Sequence, residues 1–464
     1  MIYAPPREWD DKYTKILLTI TISLLALRIV LVCIFGQPWE AEHWLKWVYT
    51  SDTRTYVEMS EDLADGDLDR PHKRILGYPL FLLLTKNLLG WTWFGTIILQ
   101  QIIAAISGLL LVLILIPFLG RLAIWACVFF LIEPYSFFFS VNLQPETVFV
   151  FTQILATYLV FKLIGAPLKK YLLLSAAIGA IIAAGVFVHG ILMFSFLGFV
   201  IFIFLFTKVK LWEKITAAIL LVLIVQIPIW AMTRYNYRHF NMKSICTQTS
   251  REKCGRFLVI RQLETQGFLN VKAIWNERKI ILKEAGYDEE HPDWALRDSV
   301  YNDFSSKLIK EYFWDIIKHQ FIHAHLFLNL GSQAFKEFVG LTTDPDLESD
   351  LSLQNMGVGR LFKVLLGRFD CISVTIYILF AMSYSLILVL SWLLSLTLIR
   401  NRQFQPLIYI ITGWFFYIAM LIGPLAQGRY RIGFVWALCL SVPIAFYRLK
   451  AILFSRSTKD IRSK

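Results

Sequence analysis

Apolar positions in this chain come in long runs. Ile16–Phe35, Leu99–Leu119 and Ile372–Ile399 are apolar almost throughout, and each reaches the roughly 20 residues that carry a helix across the hydrocarbon of a bilayer. The pattern predicts about ten spans, at 16–36, 96–117, 122–140, 147–164, 171–187, 190–207, 214–232, 372–398, 406–424 and 433–447. The joints Gly120-Arg121, Pro167–Lys170, Lys208–Lys214 and Arg400–Arg402 then fall on one side, and all are basic. Lys and Arg collect on the cytoplasmic side, so both termini are expected there. Tyr78–Leu89 is too short to span and carries Lys86. It is predicted to lie as a helix along the outer face, with Pro79 in its first turn.

Residues 234–370 break the pattern, being long, polar and mixed in charge. Trp294–Leu330 has apolar residues at helical spacing, and Trp314, Phe321 and Leu326–Leu328 suggest amphipathic helices on a membrane surface. The chain therefore divides into an N-terminal membrane module at 1–233 with its first outer loop at 37–95, an extracytoplasmic cap at 234–370, and a C-terminal membrane module at 371–464. The fold class is an all-α polytopic membrane bundle with helices along its outer face and a mainly helical external segment.

Composition agrees, since 57% of the 464 residues are hydrophobic against about 45–50% in soluble domains. The net charge of +12 is accounted for by cytoplasmic joints and a basic tail that meets anionic lipid, with no need for nucleic acid. The first span is long and carries Arg28, lacks a small-x-small site, and has Val32 before Cys33. It reads as an anchor that is kept. Of the six cysteines, Cys127 and Cys439 read as small apolar residues within spans. Cys246 and Cys254 lie in the polar segment, where an external location makes a short-loop disulfide the expectation.

Ionisable groups at span edges are costly and raise a functional question by default. Asp52 follows the first span, Glu133 precedes Pro134, Glu146 opens the fourth span, His189 lies between the fifth and sixth, and Arg429 and Arg431 flank Tyr430 before the last. Each has a plainer explanation. Asp52 could belong to a solvated acidic loop, Arg28 could pair within the bundle, Glu146 could complement a helix dipole, and His189 could serve a turn. The span order puts Asp52, Glu133, Glu146, His189 and Arg429 at one outer level, though. Carboxylates there supply a general base or a divalent-metal site, and arginines neutralise a phosphate.

The order of short motifs resembles the GT-C superfamily of membrane glycosyltransferases, which includes protein O-mannosyltransferases and aminoarabinose transferases. The resemblance covers most of the chain outside 240–290. It rests on Asp52 with Tyr56, Arg74-Ile75-Leu76-Gly77-Tyr78-Pro79, Pro134 followed by Pro145-Glu146-Thr147, His189-Gly190 where many members have Lys or Arg before Gly, and Arg429-Tyr430-Arg431. It implies an inverting transfer from a polyprenyl-phosphate sugar to an extracytoplasmic acceptor, in a bacterial inner membrane. Asp52 would be the general base. Glu146, with Glu133, would position the acceptor or hold a divalent cation such as Mg or Mn, for which Asp52 and Glu146 are the candidate ligands. Tyr56, Tyr78 and His189 would line the substrate site, and Arg74, Arg429 and Arg431 would grip the phosphate. Asp344 and Asp346 flank Pro345 and read as a turn before a metal motif. A transporter or flippase, and a lipid-linked glycan polymerase or ligase, are the competing readings.

Overall fold

The computed structural model describes residues 11–40, 48, 52–67, 73–266, 271–288, 293–322, 371–422 and 432–462. Every regular element among them is helical. The order begins α1 (Asp11–Gly36), α2 (Thr53–Asp65), α3 (Gly77–Leu82, continued by a π-helical turn at Leu83–Leu88), α4 (Trp93–Leu119), α5 (Ile124–Leu131) and α6 (Pro134–Ser140). It continues with α7 (Glu146–Leu163), α8 (Leu168–Val188), a 3₁₀ turn at Gly190–Phe194, α9 (Phe196–Phe206) and α10 (Leu211–Phe240). Four polar helices follow: α11 (Thr247–Gln266), α12 (Val271–Glu284), α13 (Trp294–Glu311) and α14 (Phe313–Ile322). The chain ends with α15 (Cys371–Leu396), α16 (Gln405–Ile422) and α17 (Ile432–Arg462).

Among the described residues, six helical stretches are long and apolar enough to cross a membrane: Asp11–Ile34, Trp93–Leu131, Glu146–Leu163, Leu168–Val188, Leu211–Phe240 and Gly433–Ile452. Gly190–Phe206, Ser383–Leu396 and Gln405–Ile418 are shorter apolar helices. The protein is an all-α, multi-pass integral membrane protein. Helix α10 shows how the exterior is built. Ile215, Ile219, Leu223, Ile227 and Trp230 are exposed, while Ala217, Leu221, Val225 and Ile229 are buried. A helix that is apolar on its outer face as well suits lipid as its solvent. Apolar burial drives little between helices in lipid, so close packing matters more. A Cβ on Gly179 of α8 would lie 3.0 Å from the Leu221 carbonyl oxygen of α10.

The predicted span at 122–140 is not one helix. It divides at Ile132–Glu133 into α5 and α6, because Pro134 has no N–H to continue the ladder. A broken helix in a bundle interior leaves orphan carbonyls that need donors. Arg28 of α1 supplies them. Its Nη1 donates to the Leu131 carbonyl at 2.7 Å and its Nη2 to the Ser136 carbonyl at 3.3 Å and Ser140 Oγ at 2.7 Å. Nε donates to Gln101 Oε1 at 2.9 Å, and the guanidinium lies over the Phe137 ring. The residue that would cost most in the first span is therefore a structural clamp.

Helices α11–α13 carry their own apolar cluster, with Cys254, Leu258, Val259, Ile274, Leu282, Tyr301 and Leu308 buried in it. Asn236 at the end of α10 donates to the Ser244 and Ile245 carbonyls, and Asp298 of α13 accepts from Lys243 N and Ser244 Oγ. These bonds stitch the polar helices to the bundle. Trp314 on α14 is exposed; Leu326–Leu328, Asp344 and Asp346 lie outside the described residues. The expected disulfide does not form, because Cys246 and Cys254 are both free, buried thiols. Cys254 lies inside α11 and Cys246 just before it. Eight residues of helical rise separate them by about 12 Å, beyond the reach of a disulfide.

Candidate functional site

The end of α1, the start of α4, the start of α7, the end of α8 and the start of α17 meet at one end of the bundle, and the first loop packs into that end. Asp52 is the residue before α2, where an Asp side chain ordinarily caps the helix. Here it makes no capping bond. Instead Arg74 Nη2 donates to Asp52 Oδ1 at 2.5 Å, and Arg74 Nε donates to Thr55 Oγ1 at 3.0 Å. The Asp52 side chain is 26% exposed, so it is open to solvent. An adjacent guanidinium favours the ionised form of a carboxylate.

Aromatic contacts carry the pair inward. Arg74 sits over the Tyr56 ring at 4.9 Å, and Tyr56 meets Tyr78 edge-on with ring centroids 5.3 Å apart. Tyr78 is fully buried, and its hydroxyl donates to Gln100 Oε1 at 2.8 Å. Gln100 Nε2 donates to the Ser140 and Asn142 carbonyls. Gln101 ties Ser140 in turn to Arg28. Burial, and after it the nearby Glu146 carboxylate, holds the Tyr78 phenol well above its usual range. Glu146, 2% exposed at the first position of α7, is thus electrostatically coupled to the first-loop cluster.

What aims this loop is the run from Arg74 to Pro79. A Cβ on Gly77 would lie 2.5 Å from the Phe187 carbonyl carbon and 2.7 Å from Val188 N, so only glycine lets α3 meet the end of α8. The residue that follows α8 is His189. We expect Gly77→Ala to lift this turn, lowering thermal stability by about 1–3 kcal/mol and disturbing the Asp52–Arg74 pair. Gly198→Ala, with nothing within 4 Å of its Cβ, is the control. Equal melting temperatures for the two variants in lipid nanodiscs would refute the close-approach argument.

The other predicted residues divide. His189 Nδ1 accepts from Ile191 N at 3.4 Å, capping the 3₁₀ turn, and its ring lies 5.0 Å from that of Phe149, one turn into α7 from Glu146. That favours its structural reading. Glu133 is fully buried and its Oε2 caps α6 by accepting from Ser136 N, within electrostatic reach of Arg28. It belongs with the clamp as much as with the site. Arg429 and Arg431 lie outside the described residues. Gly433, which follows them, packs against Phe149, and Trp436 donates to Gln153 Oε1 at 3.0 Å, so the start of α17 lies against α7. The sequence reading missed Gln100 and Gln101. Two adjacent amides inside a long apolar run were the available signal.

Among the described residues, no three His, Cys, Asp or Glu side chains group as a metal site. Asp52 also faces a guanidinium, whose charge opposes a second cation. This donor set does not fit a divalent ion at Asp52 and Glu146.

The turn Leu83–Leu88 completes the rim. Leu89 N donates to the Leu84 carbonyl at 3.0 Å, a π-type bond. Leu80, Leu84 and Leu88 form an exposed apolar stripe, while Tyr78, Leu82 and Thr85 are buried against the bundle. An exposed stripe of that kind suits a helix lying in a lipid interface.

No family model matches the sequence, and no curated protein matches it. Two solved structures are similar to the chain, both of ArnT from Cupriavidus metallidurans. To the apo state the identity is 12% over 87% of this chain and 76% of that one, with a TM-score of 0.35. To the form bound to undecaprenyl phosphate it is 11% over 94% and 78%, with a TM-score of 0.37. A likeness this distant adds no weight to a functional reading.

Proposed function

We propose that the protein is a membrane glycosyltransferase of the GT-C type, acting at the non-cytoplasmic face of a bacterial inner membrane with both termini in the cytoplasm. The observation that carries the reading is an accessible carboxylate, Asp52, that leaves its own helix uncapped and is instead fixed by Arg74 on a turn bordered by an exposed leucine stripe. A lipid-borne donor and a water-borne acceptor would meet at such a rim.

In this mechanism Asp52 accepts the proton of the acceptor hydroxyl as its oxygen attacks the anomeric carbon. The new C–O bond forms on the face opposite the leaving group. The bond from the anomeric carbon to the phosphate oxygen breaks, and its electrons stay with the polyprenyl phosphate. Arg74 holds Asp52 in place and adds positive charge near the departing anion, where Arg429 and Arg431 would join it. Tyr56 and Tyr78 support the cluster, and Glu146 orients the acceptor.

The test uses purified protein in nanodiscs with a radiolabelled polyprenyl-phosphate sugar and an envelope extract as acceptor. Label is expected to leave the lipid with release of polyprenyl phosphate. Label that stays on the lipid in nanodiscs, together with protein-dependent movement of the intact lipid across vesicle leaflets, would replace this reading with a flippase.

A further inference from the structure

A second cluster of charge lies in the polar helices. Arg251 of α11 and Arg278 of α12 share the Trp275 ring, and Arg297 of α13 lies within electrostatic reach of Arg251. The Arg251 guanidinium is 4.6 Å from the Trp275 ring centre and that of Arg278 is 4.0 Å from it, while Arg297 lies over Trp294 at 4.9 Å. Arg278 is only 6% exposed, and its buried Nε has no hydrogen-bond partner. Gly255 of α11 makes room for it, since a Cβ there would lie 3.1 Å from Arg278 Nη1. Burial first, and then the charge of Arg278, holds the Arg251 guanidinium below its usual range; Glu252 opposes this and Arg297 adds to it.

Like charges brought together and buried work against folding unless something offsets them. Cation–π contacts with Trp275 offset part of that cost. They do not supply an acceptor for the Arg278 Nε. Guanidinium groups match the oxygens of a phosphate in both charge and geometry. Position matters too. Arg297 Nη2 donates to the Thr247 carbonyl at 3.4 Å, and the preceding residue, Cys246, is within electrostatic reach of Arg74. The cluster thus neighbours the first-loop site while sharing none of its residues.

We infer that Arg251, Arg278 and Arg297 form a binding site for a phosphate group, with the exposed part of Trp275 offering a surface for an attached sugar. The group comes either from a phosphorylated glycan in solution or from a polyprenyl phosphate in the bilayer. The site is assigned from its own geometry and does not depend on sugar transfer.

The experiment measures binding without turnover, on the full-length protein in phosphatidylcholine nanodiscs. Glucose 1-phosphate is titrated in one arm, with glucose as control. In the other arm the nanodiscs are doped with a polyprenyl phosphate and the titration is repeated. Wild type is expected to bind glucose 1-phosphate and not glucose, and Arg251→Gln or Arg297→Gln to weaken that binding about tenfold or more, as loss of a charge-assisted bond would. Competition by the doped lipid assigns the site to the lipid phosphate; its absence assigns it to a soluble glycan phosphate. If the anion is the purpose of the cluster, Arg251→Gln also relieves repulsion, so its melting temperature in phosphate-free buffer should equal or exceed that of wild type. A purely structural cluster would melt lower in the same variant while phosphate binding, if any, stayed unchanged. Absent binding by wild type in both arms, or equal binding by the variants, overturns the proposal. Glucose 1-phosphate binding that persists when no sugar transfer is detected, or transfer that persists when Arg251→Gln abolishes that binding, separates this inference from the fate of the transfer reading.

Discussion

Asp52→Asn is expected to lower sugar transfer by about a hundredfold to ten-thousandfold, the usual contribution of a positioned general base. Asparagine keeps the shape and can still accept a hydrogen bond from Arg74, whose Nη2 now meets Asp52 Oδ1 at 2.5 Å. It cannot take up a proton. The side chain makes no helix-capping bond to lose, so expression, membrane insertion and melting temperature should stay near those of wild type. The measurement is initial-rate transfer in nanodiscs beside a melting curve. A variant that transfers at a tenth of the wild-type rate or better would remove Asp52 from the base role. A variant that is inactive but also unfolded would return Asp52 to a structural role.

Arg28→Leu should be the most damaging single change to the fold, costing about 3 kcal/mol or more. The substitution removes a guanidinium that donates to Gln101, Ser140 and the Leu131 and Ser136 carbonyls. It leaves those acceptors, and Glu133 nearby, without the charge that faces them in a buried setting. Arg28→Lys should recover only part of the loss, since a point charge cannot serve four acceptors spread over a broken helix. Unfolding by increasing detergent denaturant, monitored by tryptophan fluorescence, reads both variants. Wild-type stability in Arg28→Leu would show that the clamp matters little.

Much of the fold was legible because lipid imposes a simple rule. A run long enough to cross hydrocarbon must be helical, and α1, α4, α7, α8 and α10 follow the apolar runs closely. The rule is weaker at 122–140, where Pro134 interrupts an otherwise suitable run and splits it into α5 and α6. For the candidate site, the motif order picked out Asp52, Arg74 and Tyr78, but not that Arg74 would bond Asp52. That pairing depends on Gly77 meeting the backbone of Phe187, a contact that residues so distant in sequence do not reveal. The cysteine reading failed for a related reason. The polar stretch around Cys246 and Cys254 has little apolar periodicity, so its helix was not foreseen, and closeness in sequence was taken for closeness in space. Arg278 did leave a trace. It falls between Ile274 and Leu282 at four-residue steps, on the buried stripe of α12. A cation on an apolar stripe is as informative in a water-exposed segment as in a span.

The leucines on the outer side of α3 and its π-turn have a consequence for how the molecule would work in membranes of different thickness. Leu80, Leu84 and Leu88 turn that short element outward, Gly77 and Tyr78 dock its other side on α8 and α4, and Tyr56 and Arg74 link it to Asp52. The carboxylate then keeps a fixed height relative to the long helices, and a thinner or thicker bilayer has to adjust around it. In the proposed reaction a lipid-borne donor would have to meet Asp52 at that height, so a change of bilayer thickness should change the transfer rate.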